Sequence, residues 1–168
     1  MAKKMFCFRT FLGISILFLL MSGSICSADP GTGAAVGNVM PQFTLNALNG
    51  QGITVAPSDK ITILNFWATW CPPCRGEMPE LNDFFGEYGD KVVFYAINLR
   101  EEAGFVNDFM YKNGYSIPTL LDSNGETGNL FQIKFVPTTI VVDRSGIIRF
   151  RKSGAITKTE LENVVKSI

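Results

Sequence analysis

Residues Asn65 to Leu81 read NFWATWCPPCRGEMPEL, two cysteines two residues apart between an apolar run and an amphipathic one. Upstream, Ile61 to Phe66 has the length and apolar continuity of a buried central strand. Downstream, Met78, Leu81, Phe84, Phe85 and Tyr88 recur at helical spacing as far as Gly89, which predicts one amphipathic helix. Pro79 falls inside that helix and removes the hydrogen bond to the Arg75 carbonyl, so a kink is expected one turn past the cysteines. A strand that hands directly over to a helix sets the pattern for the whole chain.

The remaining elements repeat the alternation. Phe43 to Leu45 and Ile53 to Val55 flank Asn49-Gly50, a hairpin signal ahead of the main sheet. Val92 to Ile97 reads as a second buried strand, and Ala103 to Lys112 as a helix with Phe105, Phe109 and Met110 on its apolar side. Leu120-Leu121 suits a short strand and Thr127 to Gln132 a short helix. Thr138 to Val142 and Ile147 to Arg151 flank the turn Asp143-Arg144-Ser145-Gly146. Thr157 to Ile168 closes the chain as a helix, with the Thr157 hydroxyl as N-cap and Glu160 completing a capping box. The order predicts an α/β fold, a mixed central sheet covered on both faces.

The N-terminus bears on compartment. Lys3, Lys4 and Arg9 precede the apolar run Phe11 to Met21 and then Ser22-Gly23-Ser24, the order of a secretory signal. The run is about half the roughly twenty residues that span a bilayer. Residues 1–28 are therefore expected to be a signal peptide cut near Ala28, with an N-terminal membrane anchor as the alternative. The context Gly23-Ser24-Ile25-Cys26 is a poor match to a lipid-anchor signal. Residues 29–38, rich in Gly, Ala and Thr, are expected to be a flexible leader, and 39–168 the folded domain. Without residues 1–28 the chain keeps 12 basic and 15 acidic residues, a formal charge of −3, and only Cys71 and Cys74. Nothing in that balance points to a nucleic-acid partner.

The pair has a chemical logic if Cys71 sits just before the helix and Cys74 in its first turn. Free helix amides then face Cys71, favour its thiolate and make it the nucleophile, leaving Cys74 to resolve. Pro72 and Pro73 lack N–H donors, which a helix start tolerates, and their fixed φ holds the sulfurs within bridging distance. An inert staple is the bland alternative, but so short a loop stabilises little. Zinc needs four ligands, and the chain has no histidine, so neither a metal nor another cofactor is called for. Trp67 reads as core filling, and Trp70 as a shield over the sulfurs with a flat apolar surface toward partners. Phe131 and Phe135 read as core or pocket lining.

Phe66-Trp67-Ala68-Thr69-Trp70-Cys71-Pro72-Pro73-Cys74-Arg75, then Glu77-Met78-Pro79 and Phe135-Val136-Pro137-Thr138-Thr139, resemble the thioredoxin superfamily. Within it they resemble the secreted TlpA/ResA/CcmG-like thiol:disulfide oxidoreductases, in order along residues 39–168. The resemblance implies a thioredoxin-like fold in which Glu101 to Ser123 is a central helix-strand insertion. It implies that Pro137 is cis, against the disulfide, and exposes the Val136 backbone to an extended partner segment. It implies disulfide-containing protein substrates, apocytochrome c among them, and a membrane thiol-transport protein as electron donor in the periplasm. One departure stands out. Thioredoxin carries a buried aspartate six residues before its first active cysteine, and here that position is Asn65, which cannot take a proton. Glu77 is the nearest carboxylate in sequence, though as a helix glutamate it is expected to face mainly solvent or partners.

Two other functions compete. A peroxiredoxin-type peroxidase would need proline and threonine seven and three residues before its cysteine; Leu64 and Ala68 precede Cys71, and Trp67 and Cys71 precede Cys74. A non-catalytic protein on the same scaffold would use the two thiolates to hold Cu(I), without histidine.

Overall fold

The computed structural model describes residues 31–168. The expected signal or anchor over 1–28 lies outside them. The strands are β1 (Phe43–Ala47), β2 (Gly52–Val55), β3 (Ile61–Trp67), β4 (Val92–Leu99), β5 (Thr119–Asp122), β6 (Thr138–Val142) and β7 (Ile148–Ser153). The helices are α1 (Pro72–Tyr88), α2 (Ala103–Asn113), α3 (Glu126–Leu130) and α4 (Lys158–Lys166). One seven-stranded mixed sheet runs β2-β1-β5-β4-β3-β6-β7, with β3 parallel to β4 and antiparallel to β6.

All seven residues of β3 are buried, as a strand with neighbours on both edges and cover on both faces must be. Its period of two sorts the core. Ile61, Ile63 and Trp67 face one cluster with Met78, Leu81 and Phe84 of α1, Val106 and Met110 of α2 and Leu161 of α4. Leu64 and Phe66 face the other, with Phe43, Ile97, Phe131 and Ile140. Asn65 shares the α1 face with Ile63 and Trp67. The inserted α2–β5 segment joins the N-terminal hairpin to the sheet, because β5 pairs in parallel with β4 and antiparallel with β1.

Four expectations need correction. Phe105 is 69% exposed, and the buried side of α2 runs through Val106 and Met110, with Phe109 on Trp67 at 5.3 Å between ring centroids. A four-residue step from Val106 to Met110 defines that side, and Phe105 falls off it. The capping box at α4 is half made. Thr157 Oγ1 accepts from Glu160 N at 3.2 Å, but the Glu160 carboxylate turns to Lys152 Nζ at 2.6 Å, a charge-assisted bond that outcompetes a neutral amide. The β7 strand extends two residues further than the periodicity suggests, to Ser153. Residues 31–38, read from composition as a flexible leader, are tied down by bonds from Gly33 N to Val39 O and from Gly37 N to Ile148 O. Ala34 enters the core, and its carbonyl accepts from Arg151. Small residues let that backbone approach the sheet.

Phe84 is fully buried, stacked on Tyr88 at 4.7 Å and edge-on to Phe94 at 6.1 Å. Phe84→Ala is expected to cost about 3–5 kcal/mol in denaturant unfolding. Phe105→Ala should stay within about 0.5 kcal/mol of the parent. Equal losses would contradict the packing described for α1 and α2.

Candidate active site

Cys71 is the N-cap of α1 and is disulfide-bonded to Cys74. Because Pro72 and Pro73 carry no N–H, the first amide donor of the helix is that of Cys74, and it points at Cys71 Sγ at 3.2 Å. Arg75 N closes the first turn on the Cys71 carbonyl at 3.0 Å. Both cysteines are buried in this oxidised state, and Trp70 beside them is 68% exposed. Cys71 Sγ lies 3.6 Å from the Val136 carbonyl oxygen, and the Val136–Pro137 peptide is cis. Neither the N–H nor the C=O of Val136 has a backbone partner among the described residues. The structure thus brings Trp70, Cys71, Pro72, Pro73, Cys74, Val136 and Pro137 into one place.

Glu77 corrects the sequence reading. It is 4% exposed, not on the surface, because positions 74, 77, 78, 81 and 84 form the buried stripe of α1. Reading that stripe from Cys74 rather than from Met78 would have found it. Its Oε1 accepts from Asn65 Nδ2 at 2.9 Å and its Oε2 from Ile156 N at 2.8 Å. Burial pushes its pKa up to about 7, against the opposing pull of those two donors and of the more distant Lys152 charge. Asn65 Nδ2 is also 3.1 Å from Thr139 Oγ1, across the β3–β6 register, while Asn65 Oδ1 is buried without a partner.

Asn98, Arg100, Glu101 and Lys134, which carried no sequence signal, complete the surroundings. Glu101 accepts from Thr69 N and from Asn98 Nδ2, both at 2.7 Å, and from the Thr69 hydroxyl. It thereby ties the loop before Cys71 to the end of β4. Arg100 adopts a left-handed backbone, φ 58°, that turns the chain sharply at this point. A groove of about 240 Å³ runs from Trp70 and Val136 past Phe135, Lys134 and Arg100. Phe135 is 71% exposed on its rim, whereas Phe131 is core. Thr69 and Glu101 stand 32 residues apart, and nothing local announces the contact.

A cysteine pair at the N-terminus of the helix that follows a central strand, facing a cis-proline loop, defines a thioredoxin-like thiol:disulfide oxidoreductase. Comparison with known proteins agrees. The chain belongs to the AhpC/TSA family, whose model matches residues 36–151. It is 32% identical over 139 residues to the thiol-disulfide oxidoreductase ResA of Geobacillus kaustophilus, covering 82% of this chain and 80% of that one. The crystal structure of StoA from Bacillus subtilis superposes with a TM-score of 0.67 at 30% identity, covering 74% of this chain and 96% of StoA. A secreted thiol-disulfide isomerase from Corynebacterium glutamicum gives 0.70 at 25% identity, covering 75% and 82%. Where a peroxiredoxin-type cysteine would need proline and threonine, Leu64 and Ala68 are both fully buried apolar residues.

The raised Glu77 pKa has a consequence for stability. Between pH 4.5, the ordinary value, and about 7, the folded protein binds a proton that the unfolded chain releases. Stability contributed by this group is therefore full below that window and falls as pH rises through it, by roughly 3 kcal/mol. Urea unfolding of the oxidised protein should show that decline. Glu77→Gln, which has no proton to lose, should lack it, and identical pH slopes for the two proteins would refute the assignment.

Proposed function

We propose that this oxidoreductase works as a reductant of protein disulfides outside the cytoplasm, with Cys71 as nucleophile and Cys74 as resolving thiol. The observation that carries the reading is the Cys74 amide aimed at Cys71 Sγ, since in the dithiol state the same donor favours a Cys71 thiolate. That thiolate attacks one sulfur of a substrate disulfide. A mixed disulfide forms, and the other substrate sulfur leaves as a thiolate that takes up a proton. Cys74, deprotonated, then attacks Cys71 Sγ, re-forming the Cys71–Cys74 bond and expelling the second substrate thiolate, which is protonated in turn. The substrate gains two electrons and two protons, and the protein dithiol loses them.

Glu77 accepts the Cys74 proton in this scheme. Three facts support it: its place one turn beyond Cys74 on the same buried stripe, its pKa of about 7, and the inability of Asn65 to take a proton. The unpaired Val136 backbone supports docking of an extended substrate segment as a short added strand. Trp70 gives that segment an apolar surface. Pro72, Pro73 and Pro137 frame the sulfurs.

The N-terminal signal pattern and the likeness to a secreted isomerase support a periplasmic location. Among the described residues no helix is long and apolar enough to cross a membrane. Apocytochrome c as substrate and a membrane thiol-transport protein as electron donor follow from the TlpA/ResA/CcmG resemblance.

Cys71→Ser should abolish reduction of insulin disulfides, whereas Cys74→Ser should accumulate mixed disulfides through Cys71 that a non-reducing gel displays. In the single-turnover reaction of Glu77→Gln the resolution step should slow by roughly a hundredfold near pH 7. Undiminished turnover by Cys71→Ser would overturn the nucleophile assignment. A reduction potential as high as about −120 mV, that of a strong disulfide-forming oxidant, would overturn the direction.

A further inference from the structure

We propose that the groove beside the disulfide selects substrate segments in which an acidic side chain stands next to an apolar one, close to the attacked cysteine. The inference rests on the reading that the chain reduces protein disulfides, and it names which disulfides.

At about 240 Å³ the groove is below the roughly 300 Å³ at which pockets for drug-sized ligands begin, so it accommodates one or two side chains. It adjoins the reacting sulfur, because Trp70 and Val136 line it and Val136 O is 3.6 Å from Cys71 Sγ. Trp70 and Phe135 are large apolar side chains left exposed at its rim, the kind of surface that anchors an apolar partner residue.

The charged lining is of one sign. Arg100 and Lys134 contribute to the groove, no carboxylate does, and neither cation forms an ion pair among the described residues. Glu101, next to Arg100 in sequence, has both oxygens committed to Thr69 and Asn98 and forms no ion pair with its neighbour. Two cations without an ion pair among the described residues, in a groove that adjoins the active sulfur, stand out on a chain whose formal charge without residues 1–28 is −3.

Local backbone geometry holds Arg100 there. Its left-handed φ of 58° turns its side chain off the line of β4, and Gly125 leaves room for it: a Cβ at Gly125 would collide with the guanidinium Nε. A planar guanidinium with free N–H donors matches a carboxylate in geometry as well as in charge. Lys134 is two residues before Val136 on the loop that leads into β6 and lines the same groove. A segment paired on Val136 with its cysteine at Cys71 therefore places its flanking side chains at the mouth of a groove lined by Phe135 and both cations.

The test uses the dithiothreitol-reduced full domain and disulfide-bridged peptides of one length, with Glu, Gln or Lys at the positions flanking an apolar residue and the attacked cysteine. In single turnover at low ionic strength, the second-order rate constant for the Glu peptide should exceed that for the Gln peptide by about fivefold, the factor expected of one exposed charge contact. The advantage should shrink toward unity in about 1 M salt. In the double variant Arg100→Glu/Lys134→Glu the order should invert, with the Lys peptide fastest. Comparable folding of the variant is checked by its unfolding midpoint, and Arg100→Gln, which keeps a polar side chain, should lower the Glu:Gln ratio without inverting it. Equal rates for all three peptides with the parent protein would overturn the proposal while leaving disulfide reduction intact, as would a preference that survives charge reversal. If no peptide is reduced faster by the parent than by Cys71→Ser, the reductase reading itself falls, and this inference falls with it.

Discussion

Asn65 Nδ2 donates to the Glu77 carboxylate across the seam between the central strand and the helix that carries the cysteines. Both groups are buried, so each would be costly there without the other. The same carboxylate accepts from Ile156 N, just ahead of α4, and so couples β3, α1 and the approach to the C-terminal helix through two oxygens. The arrangement has two results at once. It fixes how α1 sits on the sheet, and it leaves a titratable group near neutrality on the same buried stripe as Cys74.

Around that seam the active site is assembled by three loops from different parts of the chain. The strand-to-helix turn supplies the sulfurs, the turn after β4 supplies Glu101 to brace Thr69, and the loop before β6 supplies Val136 and Pro137. Each loop follows or precedes a strand in the middle of the sheet, where the backbone ladders on both edges limit movement. The exposed aromatic rings next to the disulfide, Trp70 and Phe135, stand on these braced loops and not on free ones.

What could be read in advance was set by how local its cause is. The strand over Ile61–Trp67, the helix over Pro72–Tyr88 and the β6–β7 turn each follow from spacing within a dozen residues, and those elements stand in the structure at nearly the expected bounds. The docking of residues 31–38 depends on a pairing with Ile148, more than a hundred residues away, and composition alone suggested freedom there. Phe105 and Phe109 looked equivalent, because hydrophobicity shows which residues seek cover and helix phase relative to the sheet decides which receive it. Glu77 was the sharpest misreading. Its charge argued for solvent, while its place in the stripe from Cys74 to Phe84 argued for burial, and packing prevailed.

The sequence by itself determined the α/β order, the cysteine pair at a helix start and the two prolines that leave Cys74 as the first amide donor, since all of these are set by adjacent residues. Only the tertiary structure decided that Glu77 meets Asn65, that Glu101 braces Thr69, and that Arg100 and Lys134 line a groove with Val136, whose carbonyl lies against the reactive sulfur. Those relations depend on strand register and on the packing of α1 against β3, and neither is encoded in any one stretch of the chain.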